Sequence, residues 1–310
     1  MDIGYVTLGL VILVFAGDAL VKGAVNLALR LGIPALVVGL TVVAFGTSAP
    51  ELLVSVQAAL DGRAGIALGN VVGSNIVNIL LILGLPLLFT VIHSSQIDTR
   101  RGYVVMLAST VLFIGLCFVG PLTWWHAVIL LVGLALMLGD NLRIARAHRA
   151  AAEPDLEGVD PGMPYWKIIV FVVGGLIGLA IGANLLVEGA VNIARVLGLS
   201  ETVIGLTLVA IGTSLPELVT SIMAALRKQA DVAMGNVIGS NTFNLLGIIG
   251  VAGLFGDMEV PDVMLRYDLW VMLGVSLLLA PFVFAKRDMG RAVGIGLVGI
   301  YAAYAVSLVV

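Results

Sequence analysis

Residues 39–60 read GLTVVAFGTSAPELLVSVQAAL and residues 205–226 read GLTLVAIGTSLPELVTSIMAAL, so 15 of 22 positions are identical at an offset of 166. The same offset lays GNVVGSNIVNIL at 69–80 over GNVIGSNTFNLL at 235–246, and GAVN at 23–26 over GAVN at 189–192. No insertion separates the copies, and self-similarity of this kind identifies the structural unit before other features are weighed. The best-matched blocks are the most polar ones, which points to function rather than to a relic of duplication.

The surroundings of these blocks are apolar. Of 310 residues 60% are hydrophobic and 11% are charged, at a mean hydropathy of +1.15, against about 25% charged in a soluble domain. A water-facing fold is excluded by that balance. The 38 glycines and only 6% aromatic residues suit transmembrane helices that approach closely through small side chains. The net charge of −3 and the absence of a basic, aromatic-laced patch set nucleic acid aside. Cys117 is the only cysteine; between Leu116 and Phe118 it reads as an inert packed thiol. The first apolar run lacks a basic leader and exceeds signal-peptide length, so it reads as a retained helix.

Stretches long enough to cross a bilayer fall near 4–29, 34–60, 66–90, 103–119, 123–142, 165–194, 201–226, 232–256, 267–285 and 291–309. The expected fold is an all-α integral membrane protein of ten transmembrane helices. Residues 1–142 form a first five-helix repeat, 143–164 a polar linker, and 165–310 the second repeat. Five is odd, so the second copy enters the membrane in the opposite sense and the repeats are inverted, an architecture used by many secondary transporters. Loops after odd-numbered helices hold twelve of the 16 lysines and arginines, those on the other face three. The positive-inside rule then places the linker in the cytoplasm and both termini outside.

Within the repeats, Pro50 follows Gly46-Thr47-Ser48-Ala49 and Pro216 follows Gly212-Thr213-Ser214-Leu215. A proline there removes an N–H and clashes with the carbonyl four residues earlier, so each helix must kink or unwind and free carbonyls. Such backbone is tolerated at membrane depth only against protein or a wet cavity. Each proline precedes an acid, Glu51 or Glu217, and an intramembrane acid marks an ion path unless a structural partner such as Lys22 neutralises it. Ser74 with Asn78, and Ser240 with Asn244, stand four residues apart and share one helical face. These oxygens are hard ligands suited to sodium and calcium, while His93, His126 and His148 lie at or near loops and read as interfacial or solvated. For Asn70, Asn75, Asn236 and Asn241 the expectation is helix-packing hydrogen bonds.

The paired GTSxPEL and GNVxGSNxxN blocks resemble the two alpha-repeats of the cation/calcium exchanger superfamily, specifically its sodium/calcium exchanger branch. The resemblance spans the ten-helix plan. It implies that ions are held by Thr47, Ser48, Glu51, Ser74 and Asn78, by Thr213, Ser214, Glu217, Ser240 and Asn244, and by the backbone carbonyls of Ala44 and Ala210, with the first and sixth helices as a sliding gate. It implies no cofactor; calcium and sodium are cargo, protons are the alternative coupling ion, and no obligate protein partner is expected. Some prokaryotic exchangers and the potassium-dependent branch carry aspartate where this chain has Asn244, and the proton-coupled branch has asparagine for the threonine of GTSxPE. The expected function is sodium/calcium antiport, not an enzyme activity, with a proton/calcium antiporter and a cation channel as the rival readings.

Overall fold

The computed structural model describes residues 2–147, 160, 162–197 and 210–307. Among them the protein is helical, with two isolated β-bridges, Ile92 to Met289 and Leu122 to Met258, tying loops together. Seven helices are long and apolar enough to span a membrane: α1 (Asp2–Leu31), α4 (Ala64–Leu88), α5 (Arg100–Val119), α6 (Trp124–Ala145, helical to Ala147), α7 (Tyr165–Val196), α9 (Ala230–Ala252) and α10 (Met264–Phe284). An eighth span is the pair α2 (Ala35–Thr47) and α3 (Ala49–Leu60), bent by 48° at its break. Two shorter apolar helices, α8 (Leu215–Leu226) and α11 (Arg291–Ser307), complete the set. Residues 201–209 of the expected seventh helix and His148 lie outside the described residues.

The expected proline break is present, and its geometry explains why Pro50 is tolerated. The chain leaves α2 at Ser48 (φ −80°, ψ 9°) and restarts at Ala49, so Pro50 occupies the first turn of α3, where no intrahelical N–H is needed. Ser214 (φ −90°, ψ 7°) and Pro216 repeat the device at the start of α8. Periodicity gave no warning of the π-helical turns at Gly39–Val43, Asn78–Ile82, Asn244–Ile248 and Met264–Asp268. The second and third are again 166 residues apart.

Helices α1 and α7, which carry the matching GAVN segments, lie against each other along their lengths. A Cβ added to Gly189 would meet the Asp2 carbonyl at 2.7 Å, one on Gly9 the Leu186 nitrogen at 2.7 Å, and one on Gly175 the Ala16 carbonyl at 2.9 Å. Numbers rise along one helix as they fall along the other, so these equivalent helices run antiparallel, and only glycine permits so close an approach. The end of the linker is fastened to the same unit: the Asp160 N–H donates to Asn26 Oδ1 (2.9 Å) and Arg30 Nε donates to the Met163 carbonyl (3.2 Å).

This unit covers the two halves unequally. Helix α1 seats on α8, with a Gly17 Cβ position 2.8 Å from Val219 Cγ1 and 3.2 Å from Met223 Cγ. Asp18 pairs with Lys22 (2.9 Å) and with Arg227 at the end of α8. The equivalent face of α3 is Leu53, Gln57 and Asp61; Leu53 is 71% exposed, and the other two are exposed as well. The residue equivalent to Asp18 is Asn184, so this ion pair has no counterpart by sequence in the other half.

Candidate ion-binding site

Two half-helices, α3 and α8, begin in the interior, and each places a glutamate in its first turn. The orphan N–H groups and partial positive charge of a helix start favour a carboxylate there. Glu51 is 1% and Glu217 2% exposed. Each is held from the opposite half: Ser48 Oγ donates to Glu217 Oε1 (2.9 Å) and Ser214 Oγ donates to Glu51 Oε1 (3.1 Å). The Thr213 hydroxyl also faces the Glu51 carboxylate, and the two carboxylates are close enough to repel one another. Lys22 is engaged with Asp18 on α1, so it is not the partner that neutralises the acids.

The breaks are braced by the asparagines expected to serve packing. Asn70 Nδ2 donates to the Glu51 carbonyl (3.1 Å) and to Ser55 Oγ (2.9 Å); Asn236 Nδ2 donates to the Glu217 carbonyl (3.3 Å) and to Ser221 Oγ (3.1 Å). Thr47 Oγ1 donates to Asn236 Oδ1 (3.2 Å), linking one half's break to the other half's brace. Deeper in, Asn78 Nδ2 donates to Asn241 Oδ1 (2.9 Å), and Asn241 Nδ2 to the Asn75 carbonyl (3.2 Å). Ser55 and Ser221 were not anticipated from sequence; their place one helical turn beyond the glutamates, at the same offset of 166, was the available signal.

What the hydrogen bonds leave over defines the chemistry. Among the described residues Glu51 Oε2, Glu217 Oε2, Asn78 Oδ1, Asn244 Oδ1 and Ser240 Oγ are buried without a hydrogen-bond partner. An uncompensated buried polar atom costs about 1–3 kcal/mol and a charged one more, so these oxygens are available to a cation, although Asn75 Oδ1, Ser94 Oγ and His126 Nε2 are left over in the same way. The π turn holding Asn78 packs on α8, which carries Glu217, and the π turn holding Asn244 packs on α3, which carries Glu51. Turns of this kind concentrate at functional sites. Ser74 is buried one turn before Asn78. The Ala44 carbonyl already accepts from the Ser48 N–H (3.1 Å), and the Thr47 hydroxyl, committed to Asn236 at 3.2 Å, also lies 3.4 Å from it. Ala210 lies in the short helical turn Ala210–Thr213 before the second break.

The remaining titratable groups stand apart. Among the described residues no three histidine, cysteine or acidic side chains cluster, and Cys117 is buried. His93 is exposed in a loop and pairs with Asp288 (2.7 Å). Hydrogen bonds from Ser95 and His93 hold the Asp288 carboxyl down at about 2. His126 departs from expectation: it is near a loop but buried at 2% exposure, with Nδ1 accepting from the Thr123 N–H (3.0 Å).

Comparison with known proteins bears on the family and the fold. The family model described as sodium/calcium exchanger protein matches residues 1–139 and 167–310. The putative antiporter CaxA of Alkalimonas amylolytica is 38% identical over 281 residues, covering 89% of this chain and 87% of that one. The sodium/calcium exchanger MaX1 of Methanosarcina acetivorans is 34% identical over 338 residues, covering 97% and 96%. A structure of the sodium-calcium exchanger NCX_Mj, soaked with 2.5 mM Na+ and 1 mM Sr2+, superposes with a TM-score of 0.84 at 34% identity over 98% of this chain and 97% of that one.

Proposed function

The chain belongs to the sodium/calcium exchanger family, and from that premise we propose that it exchanges sodium for calcium across the membrane, electrogenically and by alternating access. The observation that carries this reading is the pair of buried glutamates, each bonded through one oxygen by a serine of the opposite half and left with the other oxygen free. Two carboxylates give a charge of about −2. One calcium cancels it, and three sodium ions overcompensate by one. The empty site would carry uncompensated charge past the apolar α1–α7 unit, at a desolvation cost of several kcal/mol per ion, so that unit slides readily only over a loaded site.

In this reading the ions are held by the side-chain oxygens of Thr47, Ser48, Glu51, Ser74 and Asn78 and of Thr213, Ser214, Glu217, Ser240 and Asn244, with the Ala44 and Ala210 carbonyls. The ten-span plan divides at 1–142, 143–164 and 165–310, the halves are inverted, and the linker is cytoplasmic with both termini outside in a prokaryotic plasma membrane. The antiparallel packing of α1 on α7 supports the inversion. The unequal cover supports a carrier with one face closed: α1 shuts one face of α8, while the equivalent face of α3 is exposed.

Asn78 and Asn244 offer oxygen without charge, so the glutamates alone attract ions and potassium is not required. Proteoliposomes test both points. A three-for-one exchange moves one net charge per cycle, worth about 2.3 kcal/mol per 100 mV, so calcium uptake should follow a valinomycin-clamped potential and, without valinomycin, proceed equally when an impermeant cation replaces potassium on both faces. Uptake indifferent to potential would support electroneutral exchange, with two protons or two sodium ions, and a strict potassium requirement would show that Asn244 does not set the ion count.

A further inference from the structure

Helices α5 and α6 follow each other in sequence but stand apart over much of their length, leaving a cavity of about 530 Å³ lined by Ala108, Leu112, Gly133, Leu136 and Leu246 among others. At the end where α5 begins and α6 finishes, this groove shares Val105, Met137 and Asp140 with a second cavity of about 340 Å³. The second cavity sets charge into an apolar wall: Asp98, Arg101, Asp140, Asn141 and Asp231 stand beside Leu36, Val37, Leu40 and Ile97, and Arg143 lines the first. Both volumes lie in the range of small-ligand sites. An apolar slot at membrane depth that opens into a charged chamber at the membrane boundary matches an amphiphile with its head in the chamber.

The charges say which head. Arg101 is paired with Asp140, leaving Arg143 for a phosphate. Asp98 accepts only one backbone N–H, from Arg100 (3.3 Å), and none of the described residues gives Asp231 a hydrogen bond or ion pair. Three carboxylates against two guanidinium groups disfavour a purely anionic head and favour one that brings its own ammonium donors. We propose that the α5–α6 groove is a phospholipid site for a head bearing a primary ammonium, with an acyl chain in the slot, the phosphate at Arg143 and the ammonium at Asp231 and Asp98. The chain then rests on Leu246, two residues beyond Asn244 in the same π turn, so the lipid buttresses the back of the ion site. The proposal stands whether or not the transported ions are those named above.

The test uses the full-length protein, delipidated in detergent and offered phosphatidylethanolamine, phosphatidylcholine or phosphatidylglycerol with identical chains. Retention is read by native mass spectrometry and stability by thermal unfolding. Phosphatidylethanolamine should be retained about tenfold better than the other two, the equivalent of one charge-assisted hydrogen bond, and should raise the unfolding temperature. Ala108→Trp, which fills the slot, should abolish retention, and Asp231→Asn should lower phosphatidylethanolamine to the level of phosphatidylcholine. Equal retention of the three lipids, preference for phosphatidylglycerol, or wild-type retention by Ala108→Trp would overturn the site. Should that variant fail to fold, an unchanged lipid preference in Asp231→Asn overturns it alone.

Discussion

Replacing Glu51 or Glu217 by glutamine is expected to reduce calcium exchange about a hundredfold or more while leaving the protein folded. Loss of one member of a buried, ion-paired set costs about 2–5 kcal/mol of binding, and each 1.4 kcal/mol is a factor of ten. The fold survives because the amide carbonyl can still accept from Ser214 at position 51, or from Ser48 at position 217. The substitution also removes one of two buried like charges. In ion-free detergent the variants should therefore unfold at or above the wild-type temperature, whereas calcium should no longer raise it. The paired readout separates a lost site from a lost fold: if both variants take up calcium within threefold of wild type, these glutamates do not hold the ion.

The second large effect concerns the gate. Gly17 of α1 lies against Val219 of α8, and subtracting 166 from Val219 and adding it to Gly17 gives Leu53 and Ala183. In the structure Leu53 is 71% exposed. If the halves exchange roles, α7 must come down on α3 as α1 leaves α8, and these two residues meet only then. With Cys117 replaced by alanine, Ala183→Cys combined with Leu53→Cys should cross-link during turnover, stop transport, and recover on reduction. Oxidant that leaves transport at full rate would show that the carrier never adopts the mirrored arrangement. The Asp18–Arg227 pair is made in one arrangement, whereas Asn184 and Asp61 would meet in the other. Arg227→Gln should accordingly raise the rate of cross-linking.

Much of this architecture was legible because the bilayer imposes simple rules. Hydropathy located the eight spans seen among the described residues, and the chemistry of Pro50 and Pro216 located the breaks; both are local properties. The offset of 166 then paired Glu51 with Glu217 and Asn78 with Asn244 without any knowledge of space. What the repeat did not disclose is which half each side chain serves. Ser48 bonds to Glu217 and Ser214 to Glu51, across separations of 169 and 163 residues, and no pattern within one copy encodes that exchange. The π turns at Asn78 and Asn244 were hidden because one extra residue in a turn leaves composition and mean hydropathy unchanged. Position in the sequence does not exclude Lys22 as a partner of the glutamates; its pairing with Asp18, one turn earlier on the same helix, does. His126 was misplaced for a related reason: proximity to a loop says nothing of the Thr123 N–H and the α6 packing that bury it.

The most direct test of sodium/calcium exchange is uptake of radiolabelled calcium by the purified protein in proteoliposomes loaded with sodium, set beside the same vesicles loaded with an impermeant cation at low internal pH. Uptake driven by the outward sodium gradient, saturable in calcium, absent in Glu51→Gln and not reproduced by the outward proton gradient is the predicted result; calcium entry that needs no gradient, or that follows the proton gradient alone, would contradict it.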